Sequence, residues 1–173
     1  MEKLIQSYSS FTKTMFGLTV ALILISTSTI ASAQQWKQPR LLVTKDSIGP
    51  IRLGQQLSPQ VYEVLGKPDQ VSDSVVFWGP QGNHREQGIE VRLEDGKVYN
   101  ISAQIGVRAY MDQGLYIGCS WGKVKSTYPN GESQRGMYVN WQTPDFYFST
   151  FNGAVLGRIT VGSMAPPSFK MPE

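Results

Sequence analysis

Two stretches of the chain share one order of hydrophobic and polar positions. The first is 51–66, IRLGQQLSPQVYEVLG, and the second is 115–128, LYIGCSWGKVKSTY. Each is followed by segments with strand-like alternation and by a glycine turn. Internal similarity of this kind is typical of folds that pack one small unit on another, and such folds present surfaces more often than active sites. The pattern predicts two tandem repeats, 46–112 and 113–163.

A short helix is predicted near the start of the first repeat. Residues 58–59, Ser-Pro, favour a helix start, because a serine side chain can cap free amides and proline suits the first helical position. Val61, Val64 and Leu65 then fall on one helical face, and Gly66 ends the helix. A helix of about two turns is not stable alone in water, so we expect it to pack on a sheet.

Three strands are predicted after this helix, at 74–78, 89–93 and 98–101. In the second strand, apolar residues alternate with Glu90 and Arg92, which indicates one buried and one exposed face. A three-residue turn that ends at Gly96 would place Val91 opposite Tyr99.

The second repeat has the same predicted order. Ser120 is the candidate cap of its helix. Strands are predicted at 136–141, 146–150 and 154–161. Residues 152–153, Asn-Gly, are a strong signal for a two-residue turn, which would place Phe146 opposite Ile159.

These elements predict an α+β fold with two tandem repeats, each a short helix or helix pair packed on an antiparallel sheet of three or four strands. Residues 34–45 are predicted as a leader in which 41–44 is extended. Residues 164–173 contain three prolines and are predicted as a tail.

The first 33 residues have the pattern of a signal peptide. Lys3 and Lys13 lie in a polar lead, 15–25 is largely apolar, and Ala31-Ser-Ala33 has the small-x-small form that signal peptidase cuts. The apolar run is well short of the roughly 20 residues that span a bilayer. We therefore expect cleavage after Ala33, a periplasmic or secreted protein, and no stable membrane anchor.

The charges exclude some partners. The chain has a formal net charge of +3, and its charged residues are scattered without a basic run, so nucleic acid is not an expected partner. Cys119 is the only cysteine and cannot pair within the chain. It is predicted to fill space as a small apolar side chain.

Residues 118–122, Gly-Cys-Ser-Trp-Gly, match the G-x-S-x-G motif of hydrolases. That motif needs a histidine base after the serine, but the only histidine, His84, precedes it. The internal similarity offers a structural role instead, in which Gly118 matches Gly54 and Ser120 caps a helix. A small hydrolase or thiol enzyme that uses Ser120 or Cys119 with His84 remains an alternative.

No cofactor or metal site is predicted. One histidine and one cysteine do not form a zinc cluster, and no acidic loop resembles a calcium site. No glycine-rich phosphate loop occurs either.

The open faces of the two predicted sheets differ in chemistry. The first is charged, whereas the second places Tyr147 beside Arg158, with Tyr138 near them, which is the composition of a protein-contacting patch. Loops also collect recognition residues, so His84 and Arg85 in the polar loop 79–88 are further candidates. The alternatives are an ordinary half-exposed sheet and a solvated loop.

A small-ligand pocket between the repeats is a second alternative. It would be lined by Trp78, Trp121 and Trp141, because a gap between repeated units is a natural place for a cavity. Tryptophans are also common core residues, so the same positions are compatible with simple packing.

The pattern resembles a known family. Ile51-x-Leu-Gly-x-x-Leu-Ser58 and Val64-Leu-Gly-Lys-Pro68, followed by strands and the 94–97 Glu-Asp-Gly-Lys hairpin, resemble the small domain of outer-membrane-assembly lipoproteins of the SmpA/OmlA type. The tandem doubling resembles the β-lactamase inhibitory proteins. The resemblance covers 46–103 and 113–161.

This resemblance implies a helical layer on an antiparallel sheet and no catalysis. It also implies binding of another protein in the periplasm or outside the cell, as an inhibitor or an envelope-assembly scaffold. The chain departs from the family at its cysteines, since it lacks the lipid-bearing cysteine and has too few cysteines for the disulfides of the inhibitory proteins.

Overall fold

The computed structural model describes residues 39–79, 87–135, 138–150 and 152–164, which form two short helices and twelve strands. The helices are α1 (Pro59–Leu65) and α2 (Trp121–Thr127). The strands are β1 (Arg40–Thr44), β2 (Ser47–Ile48), β3 (Ile51–Arg52), β4 (Gln70–Val71), β5 (Val75–Trp78), β6 (Ile89–Glu94), β7 (Lys97–Gln104), β8 (Arg108–Tyr110), β9 (Glu132–Arg135), β10 (Val139–Gln142), β11 (Phe146–Thr150) and β12 (Arg158–Gly162).

Eight strands form one antiparallel sheet in the order β4-β5-β6-β7-β12-β11-β10-β9. Strands β7 and β12 lie at its centre, and from each of them the strands follow in descending order to an edge. The central pair places Arg158 opposite Gln104 and Gly162 opposite Asn100. Each half of the sheet therefore consists of four strands that follow one helix in the chain.

The predicted α+β fold class is wrong, because strands dominate the regular structure of the described residues, with twelve strands and only two helices. Each helix has only seven residues. The two separate small sheets of the prediction are one continuous sheet, because β7 and β12 pair with each other. This pairing joins segments that are distant in the sequence, so the local periodicity of either segment does not indicate it.

A second sheet has the order β3-β2-β1-β8 and was not predicted. The extended segment expected at 41–44 is confirmed as β1, which pairs in parallel with β8 and antiparallel with β2. Leu41 lies opposite Ala109, and both are buried. Strands of two or three residues are too short to show alternation, which explains why the rest of this sheet escaped prediction.

The core lies between the apolar face of the eight-stranded sheet and a layer made by the helices and the small sheet. The buried cluster joins Val61 and Leu65 of α1 to Val124 of α2 and to side chains of both sheets. Burying one such aliphatic side chain contributes about 1.5–3 kcal/mol. Val64 was expected on the same helical face, but it is exposed.

Both predicted helix starts are confirmed, although their caps differ. Ser120 Oγ accepts a hydrogen bond from the Lys123 amide, whereas the side chain of Ser58 makes no cap bond. Pro59 takes the first helical position in α1, as predicted. Within the described ranges, neither helix has the length and apolar character needed to cross a membrane.

The first predicted hairpin forms with a different register. Its turn has two residues, Asp95 and Gly96, both with positive φ, and a bulge follows between Arg92 and Leu93. Together these changes move the pairing, so that Val91 lies opposite Ile101 instead of Tyr99. The observed register keeps apolar side chains opposite one another on the core face.

The second predicted hairpin is also shifted. Phe146 lies opposite Val161 instead of Ile159, because the chain leaves the sheet between β11 and β12. Residues 154–156 pair instead with the segment that leads into α2, where the Leu156 amide donates to the Cys119 carbonyl at 2.8 Å. A tight two-residue turn would have prevented this contact.

Candidate functional site

The candidate site is the face of the eight-stranded sheet that points away from the core. Residues opposite each other in a ladder share a face, so the register identifies its members. We call it the polar face, and its polar members include Glu90, Arg92, Asn100, Ser102, Gln104, Asn140, Gln142, Tyr147, Ser149, Arg158 and Thr160. The register also places Phe77 on this face, opposite Glu90, and Val75, opposite Arg92. The intervening residues, such as Ile101 and Ile159, belong to the buried apolar cluster.

Hydrogen bonds link the small polar side chains near the middle of this face. The hydroxyls of Ser102 and Thr160 are 2.8 Å apart across the central strand pair. The side-chain nitrogen of Asn100, Nδ2, donates to the Ser163 carbonyl at 2.8 Å. All three side chains are buried, so these bonds replace bonds to water that burial removes.

Gln104 and Arg158 lie directly opposite each other at one end of the central pair. Gln104 is fully buried, yet neither its amide oxygen nor its amide nitrogen has a hydrogen-bond partner. The Nε of Arg158 is also buried and unpartnered. Buried polar atoms without partners cost about 1–3 kcal/mol each, so this pair is an unusual feature of the face.

Tyr147 lies one strand further out, diagonal to Arg158 on the same face. Burial raises the pKa of the Tyr147 phenol above its ordinary value, and the positive charge of Arg158 partly opposes this effect. Both side chains are half-buried. The structure thus brings together two of the residues expected to contact a partner, although the predicted strand register was wrong.

The other expected site residues are placed as follows. Tyr138 is half-buried and directly precedes β10, an outer strand of the same half-sheet. His84 and Arg85 lie outside the described residues. The charged part of the polar face is an ion pair between Arg92 Nε and Glu90 Oε1 at 2.8 Å, and hydrogen bonding to Glu90 raises the pKa of Arg92.

The sequence prediction missed Gln104, Ser102 and Asn140 as members of the face. A signal was present, because Asn100, Ser102 and Gln104 alternate with apolar residues along β7. The predicted strand ended at 101, so this alternation was cut short. The expected contrast between a charged first sheet and an aromatic second one is not found, because the first half of the face also carries Phe77, opposite Glu90, and Tyr99, which interacts with Arg92.

The residues of the alternative enzymatic site have structural roles. Ser120 is exposed and caps α2, and Cys119 is buried in the core. His84 lies outside the described residues, so its distance from Ser120 and Cys119 is not defined. Across the described ranges, no three His, Cys, Asp or Glu side chains approach closely enough to hold a metal ion.

The three tryptophans of the proposed ligand pocket are packing residues. Trp78 and Trp121 belong to the buried cluster, and Trp141 packs against it. Two clefts formed by described residues lie elsewhere. One of about 230 Å³ is bordered by 127–131 and 143–144, and the other, of about 700 Å³, is bordered by Arg40, 107–112 and 114–117.

Comparison with known proteins gives little further guidance. No family model matches the sequence, and no curated protein matches it. A solved structure, an extracellular protein containing a SCP domain from Bacillus anthracis str. Ames, is similar with a TM-score of 0.39 and 14% sequence identity. The similarity covers 65% of this chain and 44% of that one.

Proposed function

We propose that the chain is a non-enzymatic exported protein that binds another protein through the polar face of its eight-stranded sheet. The partner lies in the periplasm or outside the cell, and the role is that of an inhibitor or an envelope-assembly scaffold.

The observation that carries this proposal is the group formed by Tyr147, Arg158 and Gln104. Two half-buried side chains of the types enriched in interface hot spots lie beside an amide without partners. The described helices and the small sheet all pack on the opposite side of the large sheet. A protein partner would cover the exposed parts of Tyr147 and Arg158.

Two features of the sequence and one of the structure support the exported location and the non-enzymatic class. The signal-peptide pattern at 1–33 supports export. The resemblance to SmpA/OmlA-type domains and to β-lactamase inhibitory proteins supports protein binding. The structural roles of Ser120 and Cys119 favour the absence of catalysis.

Capture of the partner tests the proposed surface. The mature protein is immobilised and exposed to the envelope fraction or medium of the organism that encodes it, and the bound proteins are identified. We expect the double variant Tyr147→Ala, Arg158→Ala to retain at least about ten-fold less of the specific partner, because hot-spot truncations commonly cost that much.

A matched control removes the same two residue types elsewhere. Tyr62→Ala with Arg52→Ala changes an exposed tyrosine and an exposed arginine outside the polar face, and capture should be unchanged. Circular dichroism confirms that both double variants are folded. Equal capture by the wild type and the Tyr147, Arg158 variant would remove this face from consideration.

Labelling tests the proposed absence of catalysis separately. A broad activity-based probe for serine and cysteine nucleophiles should label neither Ser120 nor Cys119 in the folded protein. Stoichiometric labelling of either residue would overturn the non-enzymatic assignment, whatever the capture experiment shows.

A further inference from the structure

The small sheet carries a second surface, which is distinct from the polar face. Its outer side borders the cleft of about 700 Å³, whose lining includes Arg40, Arg108, Tyr110 and Tyr116. A volume of this size is typical of ligand clefts. The neighbours of these residues along the strands, Leu41 and Ala109, are buried, so the sheet has one side in the core and the other in the cleft.

Two arginines are adjacent in this cleft. Arg40 and Arg108 are direct partners in the parallel pairing of β1 with β8, so their side chains leave the same side of strands about 4.8 Å apart. Both are exposed. Among the described residues, neither forms an ion pair, and the one carboxylate in the lining, Asp112, does not bridge to them. Adjacent like charges repel, so an anion between them would be stabilising.

Two tyrosines extend the surface. Tyr110 and Tyr116 are direct antiparallel partners, and the hydrogen bonds on either side of them make this a closely spaced pair. The Arg40 guanidinium lies 4.4 Å from the centre of the Tyr110 ring. Lys123 Nζ lies 5.9 Å from the centre of the Tyr116 ring. Each of the two tyrosine rings therefore has a cation close to it.

The two cations beside these rings, Arg40 and Lys123, are held in place. Stacking on Tyr110 restricts the guanidinium of Arg40. Lys123 Nζ donates to the Gly114 carbonyl at 2.7 Å, which fixes it beside Tyr116. Tyr116 is 53% exposed, so a large part of its side chain is open to solvent. Ordering these groups before binding lowers the entropic cost of binding.

We propose that this cleft binds an acidic peptide segment of a partner protein, with carboxylates between Arg40 and Arg108 and apolar stems on Tyr110 and Tyr116. One arginine guanidinium can bind a carboxylate through two parallel hydrogen bonds, and arginine clusters are a recurrent means of binding acidic motifs. A single-stranded nucleic acid needs a longer basic track, and the remaining charges of the chain are scattered.

Calorimetric titration of the full mature chain with a hexaglutamate peptide tests this site. Hexaglutamine, inorganic phosphate and a thymidine hexanucleotide serve as comparison probes. We expect hexaglutamate to bind, hexaglutamine not to bind, and the hexaglutamate affinity to fall with added salt. The double variant Arg40→Gln, Arg108→Gln should bind hexaglutamate at least about ten-fold more weakly, because two charge-assisted contacts are lost.

Arg52→Gln is the matched control, since Arg52 is an exposed arginine of the same sheet that does not border the cleft. The Arg52→Gln variant should bind hexaglutamate with the affinity of the wild type. Tyr116→Ala, a change at an exposed position, should weaken binding while leaving the melting temperature unchanged. No hexaglutamate binding, equal weakening by Arg52→Gln, or equal or tighter binding of phosphate or the hexanucleotide would overturn the proposal.

Discussion

Trp78 and Trp141 make the same hydrogen bond in the two halves of the chain. The indole Nε1 of Trp78 donates to the Gly66 carbonyl at 2.9 Å, and that of Trp141 donates to the Tyr128 carbonyl at 2.9 Å. Gly66 and Tyr128 are the C-terminal caps of α1 and α2. Each tryptophan therefore satisfies a carbonyl that a helix end leaves without an intrahelical partner, and ties that end to the second strand after the helix.

Gly131→Ala tests the tie in the second half. A Cβ at Gly131 would collide with the indole of Trp141, so the ring must move away from the Tyr128 carbonyl. We expect the free energy of unfolding to fall by roughly 1–3 kcal/mol, the usual cost of such overcrowding. Urea denaturation followed by tryptophan fluorescence measures both the loss and the altered environment of the ring.

Gly122→Ala is the control for that change. Gly122 lies in α2, and nothing is within 4 Å of a Cβ built there. Alanine is the better helix former, so stability should rise by about 0.5–1 kcal/mol. Equal effects of the two substitutions would mean that the close approach of Trp141 to Gly131 does not contribute to stability.

The two helix caps provide a matched pair of serines. Ser120→Ala removes the hydrogen bond from the Lys123 amide and should lower the free energy of unfolding by about 1 kcal/mol. Ser58→Ala should have little effect, because the Ser58 side chain makes no cap bond. Thermal unfolding of both variants measures the two losses of stability. A larger loss for Ser58→Ala than for Ser120→Ala would contradict the assigned capping roles.

Tyr128→Phe is expected to stabilise the protein. The Tyr128 hydroxyl is buried without a hydrogen-bond partner, while its ring packs against Phe146 and Phe148. Removing the hydroxyl keeps the packing and relieves a desolvation cost of about 1 kcal/mol. Chemical denaturation measures the gain, and Tyr62→Phe, at an exposed tyrosine, should give none.

The pH dependence gives a second test of Tyr128. Burial, assisted by the negative charge of Asp145, raises the pKa of this phenol above its ordinary value of 10.0. The neutral phenol is therefore favoured in the folded state. Its contribution is complete below the unfolded pKa and is lost as the pH rises through the folded pKa. We expect the advantage of Tyr128→Phe to grow above about pH 10. A constant difference would contradict the raised pKa.

Tyr147 and Arg158 should be coupled in titration. Arg158 lowers the pKa of Tyr147 against the larger effect of burial, so Arg158→Gln should raise that pKa further. The ring carbon signals of Tyr147, followed by NMR at alkaline pH, report the midpoint. An unchanged or lower midpoint would mean that the two side chains are not close neighbours in solution.

Local patterns predicted the elements that are long enough to show a period. Strand β11 was predicted at its observed bounds, and the Ser-Pro start of α1 and the Ser120 cap of α2 are confirmed. The internal similarity also led to the correct expectation that Ser120 has a structural role, since its hydroxyl caps the helix. These features depend on neighbours within four residues, and a sequence shows such neighbours directly.

Long-range pairing could not be predicted in the same way. The ladder between β7 and β12 depends on contacts between distant segments, and it turns two expected sheets into one. The register of β6 against β7 depends on a bulge at Arg92 and Leu93, which no local pattern in the sequence indicates. The sequence does not indicate that the side-chain amide of Gln104 lacks hydrogen-bond partners, because this depends on which strand pairs with β7.

Site-specific photocross-linking shows whether a protein partner contacts the polar face. Gln142 is exposed on this face opposite Tyr147, and Glu63 is an exposed position on α1. With p-benzoylphenylalanine at one of these positions in the native host, we predict one discrete adduct from position 142 and none from position 63. Tyr147→Ala should reduce that adduct. An adduct from position 63 alone, or equal adducts from both positions, would mean that the polar face is not the surface that binds the partner.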